Sequence, residues 1–507
     1  MFAKVKAFGL SGIEGVEVTV EADIHAGLPG TDLSGLPDTS IKESRERVRS
    51  AIKNSGFLFT PRRITLNLAP ADTKKEGPLF DLAIALSIMS AYEQLRLDRL
   101  AQETVFIGEL SLDGFLRPVR GILPILISAV NKGFKRFVIP KDNALEASFI
   151  EGAEVYALDS LTGVVHFIQN PARFEPIAHR KYEATTTNKF KEDFKYIRGQ
   201  VFARRAMEIA ASGGHNILLI GPPGSGKTML AKCLPSILPT MNVVEAMETT
   251  KIHSIAGILP LEQGIVTNRP FRAPHHTASQ ISITGGGSKA NPGEISLAHN
   301  GVLFLDELPE YPRAVLEILR QPLEDKSILI SRANRTVKYP ADFMMVSGMN
   351  PCPCGNAGSK LKECSCTPAH INKYLAKLSG PLLDRIDMHI EVDSVTYDDI
   401  KGAEGEDSET IRIRVQSARE IQSTRYAGTG VSCNASLDPL LLEKHCQLDE
   451  KSEILIKKAF ERLGLSVRAY TRVLKVARTI ADLSGEENIQ FQHLSEALSY
   501  RCLDRRK

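Results

Sequence analysis

The sequence has little of what membrane-spanning and secreted proteins carry. No apolar run in its 507 residues approaches the ~20 residues of a membrane-spanning helix, and the longest, Leu79 to Ala91, is interrupted by Asp81. The first residues, Met1 to Lys6, lack the apolar segment of a signal peptide. Eight cysteines are too few for a disulfide scaffold in a chain of this length. We therefore expect a cytoplasmic protein with no membrane partner.

A strong charge of either sign is also missing. The chain has 63 Lys and Arg against 60 Asp and Glu, a formal net charge of +3. A net charge this small neither supports nor excludes a nucleic-acid partner, so any basic surface must be local. Internal repeats and long low-complexity tracts are absent as well. The 43% hydrophobic and 24% charged residues are ordinary for a soluble globular protein, and the length predicts about three domains.

The patterning divides the chain into three regions and a linker. Residues 1–170 mix strand-like alternation with helix-like periodicity, which predicts an α+β domain. Residues 171–192 are rich in turn and polar residues and are predicted to be a linker. An α/β nucleotide-binding domain is predicted for 193–400. Residues 405–507 are predicted to be almost wholly helical.

The strongest motif is a phosphate-binding loop. An apolar strand-like run, His215 to Ile220, leads into Gly-Pro-Pro-Gly-Ser-Gly-Lys-Thr and then into a plausible helix. Lys227 can reach the β- and γ-phosphates, and the Thr228 hydroxyl can ligate Mg²⁺. The alternative is a plain Gly/Pro-rich turn. The predicted nucleotide-binding residues are Gly221, Pro222, Pro223, Gly224, Ser225, Gly226, Lys227, Thr228 and Asp306.

Paired acids follow a second buried strand. Gly301 to Leu305 is apolar and ends in Asp306 and Glu307. Asp306 would hold Mg²⁺, and Glu307 would polarise the attacking water as the general base. The alternative is a strand that runs into an acidic surface turn.

Two further polar residues follow in the order that AAA+ ATPases use. Asn350 ends another apolar strand, where sensor 1 would contact the γ-phosphate or the lytic water. Arg385 resembles the arginine finger that completes a neighbouring subunit's site. The alternative for Arg385 is a local ion pair with Asp384 or Asp387.

The helical region offers two arginines one turn apart. Arg468 resembles the sensor 2 arginine of the lid, which contacts the γ-phosphate, and Arg472 is expected to be a solvated neighbour. Upstream, Tyr196 to Gln200 precedes a helix at the place where AAA+ proteins put the adenine pocket. Glu307, Asn350, Arg385 and Arg468 are thus the predicted catalytic residues.

Nearly the whole chain resembles the magnesium-chelatase-like AAA+ ATPases of the YifB/ComM branch. Four passages carry the resemblance: Arg-Pro-Phe-Arg-Ala-Pro-His-His at 269–276, Pro-Gly-Glu-Ile-Ser-Leu-Ala-His-Asn-Gly at 292–301, Asn-Pro-Cys-Pro-Cys-Gly at 350–355, and Ser-Gly-Pro-Leu-Leu-Asp-Arg at 379–385. The resemblance implies an AAA+ fold with a helical lid, ATP and Mg²⁺ as cofactors, and a homo-oligomeric ring, usually a hexamer.

Two inserts of that family face the ring's pore. Ile328 to Tyr339 reads as two short strands around a basic tip and resembles the pre-sensor-1 hairpin. Its predicted DNA-binding residues are Arg332, Asn334 and Arg335, which suit contacts to phosphates; the alternative is a solvated hairpin. The Gly-rich loop 283–292 resembles the helix 2 insert. His275 and His276 are expected to hold this insert in place, with metal binding as the alternative.

A four-cysteine insert is predicted within 350–368. Cys352, Cys354, Cys364 and Cys366 have the spacing C-x-C-x9-C-x-C, which can close a tetrahedral, structural Zn²⁺ site. The alternative is free or redox-active thiols.

The first region resembles Lon-type protease domains around Ala69 to Asp81, but Leu79 stands where the nucleophile would follow Gly77-Pro78. A non-proteolytic scaffold is therefore expected. The family resemblance, together with the basic hairpin, implies a ring motor that acts on single-stranded or branched DNA, as a helicase or branch-migration factor in recombination and natural transformation. The alternative is a chelatase- or MoxR-type ATPase that remodels a protein partner.

Overall fold

The computed structural model describes residues 1–72, 74–184, 190–287, 290–332, 335–358, 362–402 and 404–504. These residues form two compact units. One consists of Met1–Glu183 together with Val243–Val266, and the other of Ala184–Asn242 together with Thr267–Lys507. None of the described helices has both the length and the apolar character that crossing a membrane requires.

The first unit is built on a seven-stranded mixed sheet. The strands of this sheet are β1 Phe2–Ser11, β2 Glu14–His25, β3 Gly30–Ser34, β4 Arg63–Ala69, β5 Thr104–Phe106, β8 Arg136–Pro140 and β9 Glu154–Leu158. A separate hairpin is formed by β6 Glu109–Leu110 and β7 Leu116–Arg117. The order in the sheet is β3-β4-β2-β1-β5-β8-β9. β1, β2 and β4 pair antiparallel, whereas β1, β5, β8 and β9 run parallel. This mixture agrees with the predicted α+β fold.

Six helices of the first unit follow from local signals. They are α1 Thr39–Asn54, α2 Asp81–Ala91, α3 Arg99–Gln102, α4 Ile122–Asn131, α5 Ala144–Ala147 and α6 Leu161–Gln169. α1 begins after Asp38, whose carboxylate accepts a hydrogen bond from the Ile41 amide at 2.9 Å. α2 is apolar on all sides and is accordingly buried in the core, with Leu79 buried just before it.

The second unit contains a five-stranded, all-parallel sheet in the order β11-β14-β17-β10-β18. Its first elements are α7 Val201–Gly213, β10 Ile217–Ile220 and α8 Lys227–Cys233. The next helix along the chain, α9 Val243–Ala256, belongs to the first unit. The second unit then continues with β11 Phe271–Arg272, α10 Gln280–Thr284, β12 Gly285–Gly286, β13 Asn291–Pro292, α11 Glu294–Leu297, β14 Val302–Leu305, α12 Arg313–Ile318, α13 Arg320–Asp325, β15 Ser327–Arg332, β16 Arg335–Pro340, β17 Met344–Met349, α14 Pro368–Leu375, α15 Gly380–Leu383 and β18 Met388–Glu391. β10, β14 and β17 are entirely buried, as their continuous apolar sequences predict.

Helices dominate the rest of the chain, as predicted for 405–507. They are α16 Tyr397–Lys401, α17 Ser408–Arg425, α18 Pro439–His445, α19 Glu450–Leu463, α20 Val467–Leu483 and α21 Phe491–Ser499. α20 is the central one, with an apolar face that includes Val473, Leu474 and Ile480 buried in the same core as the parallel sheet. This core places the lid helices on the nucleotide-binding fold.

The division into units differs from the boundaries drawn on the sequence. α9 follows the phosphate-loop helix along the chain, yet it packs within the first unit, where the Ser254 hydroxyl donates to the buried Glu146 carboxylate at 2.5 Å. Part of the predicted linker is also folded onto that unit, because the Ile177 amide donates to the Val155 carbonyl at 2.8 Å. Residues 185–189 of the linker lie outside the described residues.

Candidate nucleotide-hydrolysis site

The phosphate loop connects the end of β10 to the start of α8. Gly224 and Gly226 adopt φ values of 79° and 88°, a left-handed conformation that other residues rarely adopt. This conformation lets α8 begin at Lys227 with its first amides facing the loop. The loop is therefore built as the sequence predicts, with the N-terminus of a helix at its end.

Lys227 reaches back across the loop. Its ammonium donates to the carbonyls of Gly221 and Pro222 at 2.7 and 2.9 Å and lies 3.4 Å from Asn350 Oδ1. Burial lowers the pKa of Lys227, while Asp306 and Glu307 favour its charged form. The ammonium is thus partly desolvated among oxygen atoms, as a group that binds phosphate oxygens should be.

The carboxylates lie at the end of the neighbouring strand β14. Asp306 Oδ2 accepts a hydrogen bond from the Thr228 hydroxyl at 2.8 Å. Two oxygens this close can ligate one Mg²⁺, because adjacent ligands around an octahedral ion with bonds of 2.0–2.1 Å are about 3 Å apart. Gly348 on β17 leaves the necessary room, since a Cβ there would lie 2.8 Å from Asp306 Oδ1.

Glu307 has a partner that the sequence did not reveal. His276 Nδ1 lies 3.3 Å from Glu307 Oε2, and the His276 ring contacts His275 and Tyr311. Tyr311 is itself fixed by a 2.6 Å hydrogen bond from its hydroxyl to the Pro274 carbonyl. The expectation for His276 was support of the helix 2 insert, whereas its side chain faces the predicted general base.

Asn350 follows β17, and β17 lies between β14 and β10 in the sheet. The carboxyl ends of three adjacent parallel strands therefore bring Lys227, Asp306, Glu307 and Asn350 to one edge of the sheet. This edge is where open α/β sheets bind their ligands.

A cavity of about 830 Å³ adjoins this edge. Its lining includes Gly221 and Pro222 of the phosphate loop and Val201 and Phe202 of α7. The Phe202 ring stacks on Tyr500, with ring centroids 5.0 Å apart. The cavity is large enough for a nucleoside, and Gln200 from the segment predicted to form the adenine pocket is part of its lining. The adenine-binding role stays a prediction.

Gln200 connects this cavity to the loop. Its side-chain amide donates to the carbonyls of Ser225 at 3.3 Å and Asp393 at 2.5 Å. It adopts a left-handed conformation just before α7. No local sequence signal identifies these contacts, because one partner is 193 residues away.

Arg385 lies away from solvent in its own subunit. Its guanidinium pairs with Glu324 Oε1 at 2.5 Å and donates to the Pro381 carbonyl at 2.5 Å, and its side chain is only 6% exposed. Arg385 does form a local ion pair, but with Glu324 and not with Asp384 or Asp387, the partners named in the alternative prediction.

The two lid arginines differ in a way that corrects the sequence interpretation. Arg468 is exposed near the start of α20. Arg472 is not a solvated neighbour: it forms an ion pair with the buried Asp387 and donates to the Asp384 carbonyl at 2.5 Å. Although burial raises the pKa of Asp387, Arg472 and His215 hold it well below its usual range.

The predicted hairpin is present as β15 and β16, with Arg332 and Arg335 paired through their backbones at the tip. Asn334 lies outside the described residues, as do the side chains of Arg332 and Arg335. Their DNA-binding role therefore stays a prediction.

The four predicted cysteines converge. Their sulfur atoms all lie within 4.8 Å of one another, with Cys352 3.3 Å from Cys354 and 3.7 Å from Cys364. Hydrogen bonding from the backbone of Asn356 and from Cys352 lowers the pKa of Cys354 to about 5. In the same cluster, a hydrogen bond from the Cys366 backbone lowers the pKa of Cys364, but desolvation and hydrogen bonding with Cys354 and Cys352 raise that pKa to about 12. The fit to a Zn²⁺ site with four sulfur ligands therefore rests on the clustering of the sulfur atoms.

Comparison with known families finds three matches along the chain. The family described as magnesium chelatase, subunit ChlI, matches residues 193–400. The families described as subunit ChlI of Mg-chelatase and as magnesium chelatase, subunit ChlI C-terminal, match residues 20–143 and 405–501.

Comparison with curated proteins gives two relatives that match over nearly their whole length and one that matches over a shorter segment. The competence protein ComM of Haemophilus influenzae is 46% identical over 499 residues, which is 97% of this chain and 96% of that protein. YifB of Escherichia coli is 42% identical over 496 residues, 97% of this chain and 96% of its own. Lon protease 2 of Bacillus subtilis is 29% identical over 132 residues, 26% of this chain and 23% of that protein.

Proposed function

The chain belongs to the YifB/ComM branch of the magnesium-chelatase-like AAA+ ATPases, and we propose that it is a ring-forming, ATP-driven motor that moves on DNA. The observation that carries the proposal is the sheet edge where Lys227, Thr228, Asp306, Glu307 and Asn350 meet.

The placement of these side chains supports a mechanism of ATP hydrolysis. Lys227 and the loop amides bind the phosphates. Thr228 with Asp306 would hold Mg²⁺, which would supply positive charge against the phosphate oxygens. Glu307 accepts a proton from the attacking water. Asn350, beside the Lys227 ammonium, orients that water or the γ-phosphate.

The arginines imply a ring. Arg385 stabilises the transition state in the site of a neighbouring subunit, and Arg468 contacts the nucleotide of its own subunit. A closed ring, usually a hexamer in this family, gives every site such a neighbour. This arrangement makes a lone subunit a poor ATPase.

DNA is the proposed substrate of the motor. The hairpin tip with Arg332, Asn334 and Arg335 supplies local positive charge in a chain of almost no net charge, which suits sequence-independent contacts to phosphates. The relative named a competence protein adds support for a role in competence. We place the motor's action in recombination during natural transformation, as a helicase or branch-migration factor. A structural Zn²⁺ on the four cysteines would hold the insert after Asn350.

The test is ATP turnover with and without single-stranded or branched DNA. We expect DNA to stimulate turnover, and Glu307→Gln to abolish it. Glu310→Gln is the matched control, because Glu310 is an exposed carboxylate three residues away that pairs with Lys377. Strong Glu307-dependent turnover that DNA neither stimulates nor competes with would instead favour remodelling of a protein partner.

A second experiment tests whether the hairpin contacts DNA. Arg332→Ala with Arg335→Ala should weaken DNA binding and lower the slope of its salt dependence by about two, with basal turnover retained. The control removes two exposed cations elsewhere, Arg99 and Lys444. An unchanged salt slope in the hairpin variant would move the DNA contact to another surface.

A further inference from the structure

Arg385 is held in place by Glu324. The ion pair joins Arg385 to Glu324 Oε1 at 2.5 Å, and the Arg385 side chain is 6% exposed while that of Glu324 is 48% exposed. Arg385 Nε is buried with no hydrogen-bond partner among the described residues. The guanidinium is therefore incompletely satisfied where it lies, and a half-solvated carboxylate provides its main ionic contact.

Glu324 occupies the root of the hairpin. It lies in the last turn of α13, and β15 begins three residues later at Ser327. Lys326, between the two elements, closes the root: its carbonyl accepts from the Ala341 amide at 2.8 Å, and its ammonium lies 3.0 Å from Asp342 Oδ1. A displacement of the hairpin must therefore act on the short segment that carries Glu324.

The body of the hairpin packs against the Gly-rich loop that precedes it in the chain. The Tyr339 hydroxyl donates to the Ala290 carbonyl at 2.9 Å, and Tyr339 is fully buried. Gly285 approaches Ile330 so closely that a Cβ there would lie 2.8 Å from the Ile330 side chain. A displacement of the hairpin root therefore has to occur against these contacts.

We propose that Glu324 is a positioning residue that couples the hairpin to Arg385: it holds Arg385 inside its own subunit until DNA displaces the hairpin root, and then releases it toward the neighbouring site. This proposal rests on the proposed function, in which Arg385 acts across the subunit boundary and the hairpin contacts DNA. It explains how an arginine with so little exposure reaches another subunit.

The experiment uses mixed rings of full-length chains. Arg385→Ala subunits keep Glu307 but offer no finger, whereas Glu307→Gln subunits offer a finger but cannot hydrolyse ATP. Turnover above that of either variant alone then arises only where a Glu307→Gln subunit completes an Arg385→Ala site. Adding Glu324→Ala to the Glu307→Gln chain measures what Glu324 does to a finger supplied in trans.

We expect Glu324→Ala to raise the turnover of the mixed rings without DNA by about 5-fold, because the half-exposed ion pair that restrains Arg385 is lost. The same change should abolish most of the stimulation by DNA. Glu324→Asp should retain the DNA dependence. Asp325→Ala is the matched control, because Asp325 is the next acid along the chain and is exposed. A residue with only a structural role would not change the ratio of turnover with DNA to turnover without it.

Two results would overturn the proposal. If the mixed rings are active but Glu324→Ala leaves the DNA-stimulation ratio unchanged, or lowers turnover equally with and without DNA, Glu324 does not restrain Arg385. If mixing Arg385→Ala with Glu307→Gln restores no activity, Arg385 does not act in trans, and the coupling fails together with that part of the proposed function.

Discussion

The Thr228 hydroxyl donates a 2.8 Å hydrogen bond to Asp306 Oδ2, although the two residues are 78 positions apart in the chain. The contact exists because β10 and β14 both pair with β17 in parallel, which brings the ends of these strands together. The Thr228 hydroxyl oxygen, near the start of α8, and Asp306 Oδ2, just after the end of β14, are thereby held at the spacing of neighbouring Mg²⁺ ligands.

Asp306→Asn should therefore impair Mg²⁺-dependent turnover more than it impairs nucleotide binding. An amide is nearly isosteric but carries no charge, so we expect turnover to fall by about 100-fold and the half-saturating Mg²⁺ concentration to rise. Turnover measured across a Mg²⁺ titration checks this, alongside Mg²⁺-free binding of a fluorescent ATP analogue, which should change little. Asp325→Asn serves as the control, and an unaltered Mg²⁺ dependence in Asp306→Asn would argue against the assignment.

Local patterns predicted the elements that form from neighbouring residues. The strand-loop-helix at Ile220 to Thr228, the strand before Asp306 and the hairpin around Arg332 are all where the sequence predicts them. Each pattern is carried by contiguous residues whose spacing fixes the local backbone.

Contacts between distant residues were not predictable in this way. Glu324 meets Arg385, and His276 meets Glu307, only because segments distant in the sequence are brought together by the fold. Arg472 was misread for the same reason: its helical position gave no sign that the buried Asp387 lies opposite. The placement of α9 in the first unit likewise has no signal in its own sequence.

The four-cysteine cluster predicts one tightly bound Zn²⁺ per chain. Tetrahedral zinc with Zn–S bonds of about 2.3 Å separates its sulfurs by about 3.8 Å, and Cys354 and Cys364 lie 3.6 Å apart. Protein purified without added metal should contain zinc by elemental analysis, and Cys364→Ser should lose it. Cys433→Ala, at a buried cysteine outside the cluster, should keep its zinc; zinc-free wild-type protein would instead favour free or redox-active thiols.

The ion pair of Arg472 with Asp387 predicts an acid-sensitive lid. A depressed folded-state pKa contributes stability above the unfolded pKa of about 3.9, and this contribution is lost as the pH falls through and below that value. Asp387→Asn should lower the free energy of unfolding at pH 7 by about 3–5 kcal/mol, because it leaves Arg472 without its buried partner. Urea unfolding measures this.

Asp384→Asn is the matched control for that variant, because Arg472 contacts the Asp384 carbonyl rather than its carboxylate. The control should unfold near the wild-type midpoint. Equal losses in the two variants would show that the ion pair does not stabilise the lid.

The first unit should respond to pH in the opposite direction. Burial raises the pKa of Glu146 to about 7, although the Ser254 hydroxyl and the Leu123 amide donate to the carboxylate. A raised folded-state pKa means that the folded state binds the extra proton. Stability is therefore complete below the unfolded pKa of about 4.3 and falls by about 3 kcal/mol as the pH rises through 7.

Glu146→Gln removes this titration while its amide oxygen can still accept from Leu123 and Ser254. The variant should gain stability over wild type at pH 8 but not at pH 5, as measured by urea unfolding followed through hydrogen exchange of α4 and α9. Asp81, whose pKa burial raises to about 6, leaves a smaller residual slope in both proteins. If the stabilities of the two proteins instead changed with pH in parallel, Glu146 would have the same pKa in the folded and unfolded states. The carboxylate that accepts from Ser254 of α9 would then be ionised in the folded protein at neutral pH.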